Sequence, residues 1–194
     1  LPMSLVIIQP DLGTSILISI SGILVLWFSG LNHKYFFYSF LISILSLPFI
    51  ISFLKPYQKL RVLTFLNPDR DPLGAGYQII QSKIAVGSGG LFGKGFLQGT
   101  QSYLEFLPEK HTDFIFTLFS EEFGFLGSVI LLLLYAIIIY RVIKIGSISR
   151  SYFAKLFCYS FGGSLFVFIT INMSMVLGLL PIVGSPLPIM SYGG

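Results

Sequence analysis

The segment FLPEKHTDFIF, residues 106–116, places Glu109, His111 and Asp113 at alternate positions directly before a long apolar run. Carboxylates and imidazole are the side chains that accept protons from hydroxyls or hold hard divalent cations near neutral pH. Two geometries are open. Glu105, Glu109 and Asp113 are spaced by four, which on a continuous helix would line three carboxylates along one face, but Pro108 opposes that helix. An extended EKHTD instead turns Glu109, His111 and Asp113 to one side at a period of two, an oxygen-and-nitrogen lining for a divalent cation or a hydroxyl. The competing account is structural: Asp113, or Thr112, caps the helix that begins at Phe114.

The elements that must position these groups belong to a membrane protein. Of 194 residues, 54% are hydrophobic and 10% charged, against roughly 25% charged in a soluble domain, and the mean hydropathy is +0.86. The single cysteine, Cys158, excludes a disulfide framework and a cysteine-cluster metal site within the chain. The net charge of +4 is scattered, so nucleic acid is set aside as a partner. No signal peptide is recognisable near the start. The chain begins in an apolar context and stops at SPLPIMSYGG, and it reads as part of a longer protein.

A bilayer core of about 30 Å takes about 20 helical residues per span. Four stretches qualify, 12–29, 35–54, 114–140 and 156–180, with the start of a fifth near Pro186. The fold class expected is therefore all-α, a polytopic transmembrane bundle forming one membrane domain over 1–194. The short loop with Arg141, Lys144, Arg150 and Lys155 carries no acid and is assigned to the cytoplasm by the positive-inside rule. The long loop 55–113 then lies outside the membrane on the other face. All eight acids fall on or near that face. Trp27 reads as an interfacial anchor, and His33 as part of a cytoplasmic turn.

Within the long loop, NPDRDPLGAGY is turn chemistry, and YQIIQSKIAV reads as a short helix on the membrane surface or capping the bundle, with Gln78, Gln81 and Ser82 on its polar side. The glycine-rich GSGGLFGKGFLQGT, residues 87–100, fails as a P-loop because Gly95 follows Lys94 and Ser88 stands where the first glycine belongs. It reads as a flexible loop against the membrane, or as a run of N–H groups for a diphosphate. Asp11 in QPDLGTS reads as a helix cap.

At 1.5 Å per residue a helix over 114–140 is about 40 Å long, beyond the roughly 30 Å core. Counted back from Tyr140, its membrane-embedded part starts near Phe123. Glu121 and Glu122 then sit at the interface and Asp113 about 13 Å above it. The apolar side chains of the protruding turns need cover, and the loop is the available material. The expected picture is a helix end inside a folded cap, with carboxylates facing a cleft.

QPDLGTS, FLNPDRDPLGAGYQIIQSKIAVGSGGLFGKGFLQGTQ, LEFLPEKHTDFIF, SEEFGFLGS and GLLPIVGSPLPIMSYGG, in this order, resemble the SEDS family of bacterial cell-shape and division proteins, in its RodA-like wording. The five motifs run from residue 9 to 194. The family's first several helices and its last one have no counterpart here. The resemblance implies an inner-membrane peptidoglycan glycosyltransferase that polymerises lipid II during cell-wall elongation and shape maintenance. It also implies a class B penicillin-binding protein as transpeptidase partner, and surrounding membrane lipids. The family's essential aspartate falls on Asp113, which stands as general base or metal ligand in an inverting displacement. Gln81, Ser82, Lys83, Lys94, Glu109 and His111 are the expected substrate-binding residues, with Arg70 a further cation for the departing diphosphate. Asp113 and Glu109 are the expected ligands of a divalent cation, magnesium or manganese. A flippase of lipid-linked precursors is the alternative function. It is disfavoured by spans almost free of charge below Glu122. A scaffold for the partner synthase is a third reading, and it leaves the acidic outer cleft unexplained.

Overall fold

The computed structural model describes residues 5–6, 12–53, 56–68, 71, 74–99 and 112–192. Among the described residues six helices follow one another: α1 Leu12–Phe28, α2 His33–Phe53, α3 Pro56–Leu66, α4 Ala75–Ser88, α5 Ile115–Ile148 and α6 Tyr152–Val176. The described residues contain no strand. Helix α1 ends where Gly30 takes φ 85°. Asn32 then starts α2 by accepting the Lys34 N–H on its side-chain oxygen at 3.1 Å, an N-cap that satisfies one otherwise orphaned donor. Trp27 packs across this turn against His33 and Phe36. Pro56 opens α3, where its missing N–H costs nothing. Asp71 opens α4 by accepting the Ala75 N–H at 2.9 Å.

Helices α5 and α6 are long and apolar enough to cross a membrane. Their outward side chains are of the kind that water does not hold in such numbers: Ile130, Leu133, Leu134 and Ile137 along α5 are each more than half exposed. Helix α1 is apolar but only 17 residues long, and α2 spans 21 residues with Pro48 inside it. α6 packs on both α1 and α5, and α4 packs on α5 and α6. The core gathers at the Asp113 end, where Ile79 of α4, Phe114 and Phe116, Ile169, Met173 and Val176 of α6, and Ile182 and Leu187 beyond it are buried together.

Four expectations narrow or change. Of the two placements expected for α4, packing against the bundle holds rather than the surface: Ile79 and Ala85 are buried, because its small and apolar side chains face α5 and α6. The 55–113 stretch also contains α3, whose mixed basic and apolar sequence hid it. No helix starts at Pro186; residues 181–192 fold back without helix, and Leu187 and Ser185 are inaccessible.

The fourth change concerns the long helix. It runs to Ile148, not to residue 140, and it is broken at Gly124, with φ 67° and ψ −162°. A helix break frees backbone donors and acceptors that lipid cannot satisfy, and the glycine-rich loop supplies the partners. The N–H groups of Lys94 and Gly95 donate to the carbonyls of Glu121 and Glu122 at 3.0 Å each. In return the N–H groups of Phe125 and Leu126 donate to Gly90 and Leu91 at 2.9 and 3.1 Å. Ser128 closes the set by donating to the Gly124 carbonyl at 2.9 Å. Backbones meet so closely here that a Cβ on Gly93 would collide with the Glu122 carbonyl, and one on Gly124 with the Gly93 nitrogen. The glycines of 87–100 thus serve neither as a phosphate cradle nor as slack. The straight count placing Asp113 about 13 Å up one continuous helix does not hold across this break.

Candidate active site

Asp113 lies in the turn 112–114 that leads into α5. Phe114, which has no side-chain acceptor, occupies the N-cap position, one residue beyond Asp113. The carboxylate instead faces a cavity of about 500 Å³, inside the roughly 300–1,000 Å³ typical of small-molecule sites. Its lining is drawn from α3 (Arg61), α4 (Gln78), the turn 112–114 with Asp113, and the 182–192 segment with Gly184 and Tyr192. Gly184 lies against the carboxylate, since a Cβ at that position would stand 3.5 Å from Asp113 Oδ2.

The main chain behind the carboxylate is tied down by two side chains, and the segment facing it by a third. Asn172, inaccessible in α6, donates through Nδ2 to the Asp113 carbonyl at 2.8 Å and to the Ser185 carbonyl at 2.6 Å. Ser191 Oγ donates to the Thr112 carbonyl at 2.6 Å and accepts the Leu187 N–H at 2.7 Å. The Tyr135 hydroxyl donates to the Pro188 carbonyl at 2.6 Å. A carboxylate whose backbone is held by partly buried bonds to two other segments is restrained in position, which is what a proton acceptor or ligand needs.

The other expected site residues lie elsewhere. Lys94 Nζ pairs with Glu121 Oε1 at 2.7 Å, beside the α5 break, where Glu121 is inaccessible. Ser82 is inaccessible, and its hydroxyl is bonded to the Val176 and Ile79 carbonyls at 2.8 and 2.9 Å. The aliphatic end of Lys83 covers Gly178. Lys83, Lys94, Gln81 and Ser82 are all absent from the cavity lining. Glu109, His111 and Arg70 lie outside the described residues, as does Asp11. Among the described residues no group of three His, Cys, Asp or Glu is placed to hold a metal.

Arg61, Gly184 and Asn172 were missed. Asn172 carried a signal, a carboxamide in the middle of an otherwise apolar span, where polar side chains are costly and seldom idle. Arg61 carried none, because nothing in PYQKLRVLTFL says which way it points.

These helices, two of them long and apolar enough to cross a membrane, with a polar cavity lined by Asp113, have the architecture of a helical membrane protein. The chain belongs to the FtsW/RodA/SpoVE family of cell cycle proteins, whose family model matches residues 1–194. It is 50% identical over 195 residues to the peptidoglycan glycosyltransferase MrdB of Escherichia coli K12, an alignment covering 100% of this chain and 53% of that protein. It is 48% identical over 141 residues to the peptidoglycan glycosyltransferase RodA of Treponema pallidum, covering 73% and 33%. A solved chain from a peptidoglycan synthase complex that coordinates polymerization and crosslinking matches with a TM-score of 0.80 at 31% identity, over 98% of this chain and 52% of that one. The chain spans about half the length of these relatives.

Proposed function

We propose that the full-length protein polymerises lipid II into glycan strands at the outer face of the bacterial inner membrane, in cell-wall elongation and shape maintenance. The observation that carries this reading is the Asp113 carboxylate, backed by Asn172 and turned into a polar cavity at one end of two apolar spans. A lipid-linked sugar keeps its chain in the bilayer and its reacting centre at the rim, and a cavity so placed meets both.

The 4-hydroxyl of the acceptor sugar attacks the anomeric carbon of the donor. Its oxygen forms the new bond, its proton passes to Asp113, and the bond from the anomeric carbon to the diphosphate oxygen breaks with the electron pair leaving on the diphosphate. One displacement inverts the α-linked donor to a β-linkage, so no covalent enzyme intermediate is required. A general base at hydrogen-bond distance contributes typically about 10²- to 10⁴-fold.

A divalent cation, magnesium or manganese, would neutralise charge on the departing diphosphate. Among the described residues the cavity offers one carboxylate, Asp113, which fits an ion held chiefly by phosphate oxygens and water better than a closed protein cage. Glu109 is the second ligand in this proposal.

The orientation follows from charge. Arg141, Lys144, Arg150 and Lys155 lie at the far end of α5 and α6 from Asp113, so that end is assigned to the cytoplasm and the 55–113 segment to the outer face. The residues form one membrane domain within a larger one. A class B penicillin-binding protein is the proposed partner, supported by the likeness to a synthase complex. A broken helix such as α5 also occurs in transporters. Here, however, the glycine loop takes up the freed backbone groups, which favours the polymerase over the flippase.

The test is lipid II polymerisation by reconstituted full-length protein, with the partner's transpeptidase site disabled. Asp113→Asn is expected to lower it by about 10²-fold or more with folding and partner binding unchanged; glycan strands at the wild-type rate would refute the role of Asp113.

A further inference from the structure

We infer that Arg61 is the residue that receives the diphosphate of the glycosyl donor, making the cavity a paired site with a proton acceptor and an anion clamp in one lining. This rests on the glycosyl-transfer reading for the identity of the anion. It goes beyond that reading in assigning the leaving-group side to a residue that no sequence motif marks.

The first observation is position. Arg61 is the guanidinium lining the cavity that Asp113 lines, whereas the two described lysines expected to serve the diphosphate are engaged elsewhere, Lys94 with Glu121 and Lys83 over Gly178. The second is how Arg61 is held. One N–H, at Nη1, donates to the Ile182 carbonyl at 3.3 Å, and among the described residues the guanidinium forms no ion pair. A guanidinium carries five N–H donors in a planar fork, so this bond ties the exposed side chain to the turn and leaves most of the fork for a ligand.

The third observation is a shared reference. The turn that accepts Arg61 at Ile182 is the turn that lies against the Asp113 carboxylate at Gly184 and is tied to the Asp113 backbone through Ser185 and Asn172. Base and guanidinium therefore both approach residues 182–185 of one turn. Glycosyl transfer asks for this arrangement, because the attacking hydroxyl and the departing diphosphate lie on opposite sides of one carbon. The fork geometry selects phosphate, which it meets with two parallel hydrogen bonds; a lysine there would be a point charge. Gln78 adds a neutral donor and acceptor in the same lining.

The experiment uses full-length protein in detergent or proteoliposomes, with inorganic pyrophosphate as the probe. Pyrophosphate is expected to raise the thermal midpoint of the wild type and to inhibit polymerisation in competition with lipid II. In Arg61→Gln, which keeps an N–H for Ile182, both effects are expected to weaken by about 10- to 100-fold, with a matching rise in KM for lipid II. Arg61→Lys is expected to recover only part of the binding, and serves as the test if Arg61→Gln does not fold. Asp113→Asn is expected to lose polymerisation while still binding pyrophosphate. Wild-type pyrophosphate affinity in both Arg61 variants, or no pyrophosphate effect on the wild type, would overturn the inference even if Asp113→Asn abolishes polymerisation. Loss of pyrophosphate binding in the Arg61 variants, with polymerisation intact in Asp113→Asn, would uphold the anion site while removing the proposed role of Asp113.

Discussion

Asn172 and Asp113 are separated by 59 positions in the chain, and the carboxamide of the first donates a 2.8 Å hydrogen bond to the main-chain carbonyl of the second. The same nitrogen serves the Ser185 carbonyl at 2.6 Å. One buried side chain thus clamps the segment that carries the carboxylate to the turn that faces it. The carboxylate's place is set by its backbone, and the side chain stays directed at the cavity.

Replacing Asn172 by Leu keeps the volume and removes the donor. Two buried carbonyls then lose a partner, at a cost of about 1–3 kcal/mol for each group left unsatisfied. The thermal midpoint in detergent is expected to fall. Polymerisation kcat is expected to drop by up to about 10²-fold through misplacement of Asp113, with KM little changed. A variant with lowered stability and unaltered kcat would show that the clamp does not position the carboxylate.

The contact between the glycine loop and the α5 break predicts unequal tolerance among glycines. Gly93→Ala places a methyl group against the Glu122 carbonyl at φ 80°, and is expected to cost about 1–3 kcal/mol. Gly22→Ala meets open space inside α1 and is expected to be neutral or to stabilise by up to about 1 kcal/mol. Chemical unfolding of the two variants side by side checks the difference.

Lys94 is a structural cation on this geometry. Lys94→Met leaves Glu121 inaccessible and without that partner. The expected cost is about 2–3 kcal/mol, below the roughly 3–5 kcal/mol of a fully buried pair because the lysine side chain keeps 28% of its surface. Adding Glu121→Leu is expected to restore most of the loss. If Lys94 held the diphosphate instead, the single variant would raise KM for lipid II and leave the unfolding midpoint where it was.

Tyr135→Phe removes the hydroxyl that reaches the Pro188 carbonyl at 2.6 Å. Tyr135 is nearly inaccessible, so the carbonyl loses a partner that water cannot readily replace. A loss of about 1–2 kcal/mol is expected, together with faster amide exchange of residues 187–192, readable by hydrogen–deuterium exchange.

The positions of α5 and α6 were legible because each announces itself locally: a run of apolar side chains long enough to cross a bilayer does not depend on what it packs against. Asp113 was legible for a similar reason, as a carboxylate at the edge of such a run. The break at Gly124 was not, since FGFLG inside an apolar stretch reads the same with or without a kink until a second segment arrives to take the freed hydrogen bonds. Lys94 and Ser82 looked like substrate contacts because side-chain chemistry is visible in a sequence, whereas the partner that engages it is not.

What the residues alone determined, then, was the hydropathy, the charge asymmetry, and a carboxylate beside a span. These are properties of single segments in a given solvent. The tertiary structure decided which cations pair with which acids, where the glycine loop docks, and that Arg61 shares a cavity with Asp113. Those outcomes rest on contacts such as Lys94 with Glu121, 27 positions apart, and Arg61 with Ile182, 121 positions apart. Only the folded chain brings such pairs within hydrogen-bond distance.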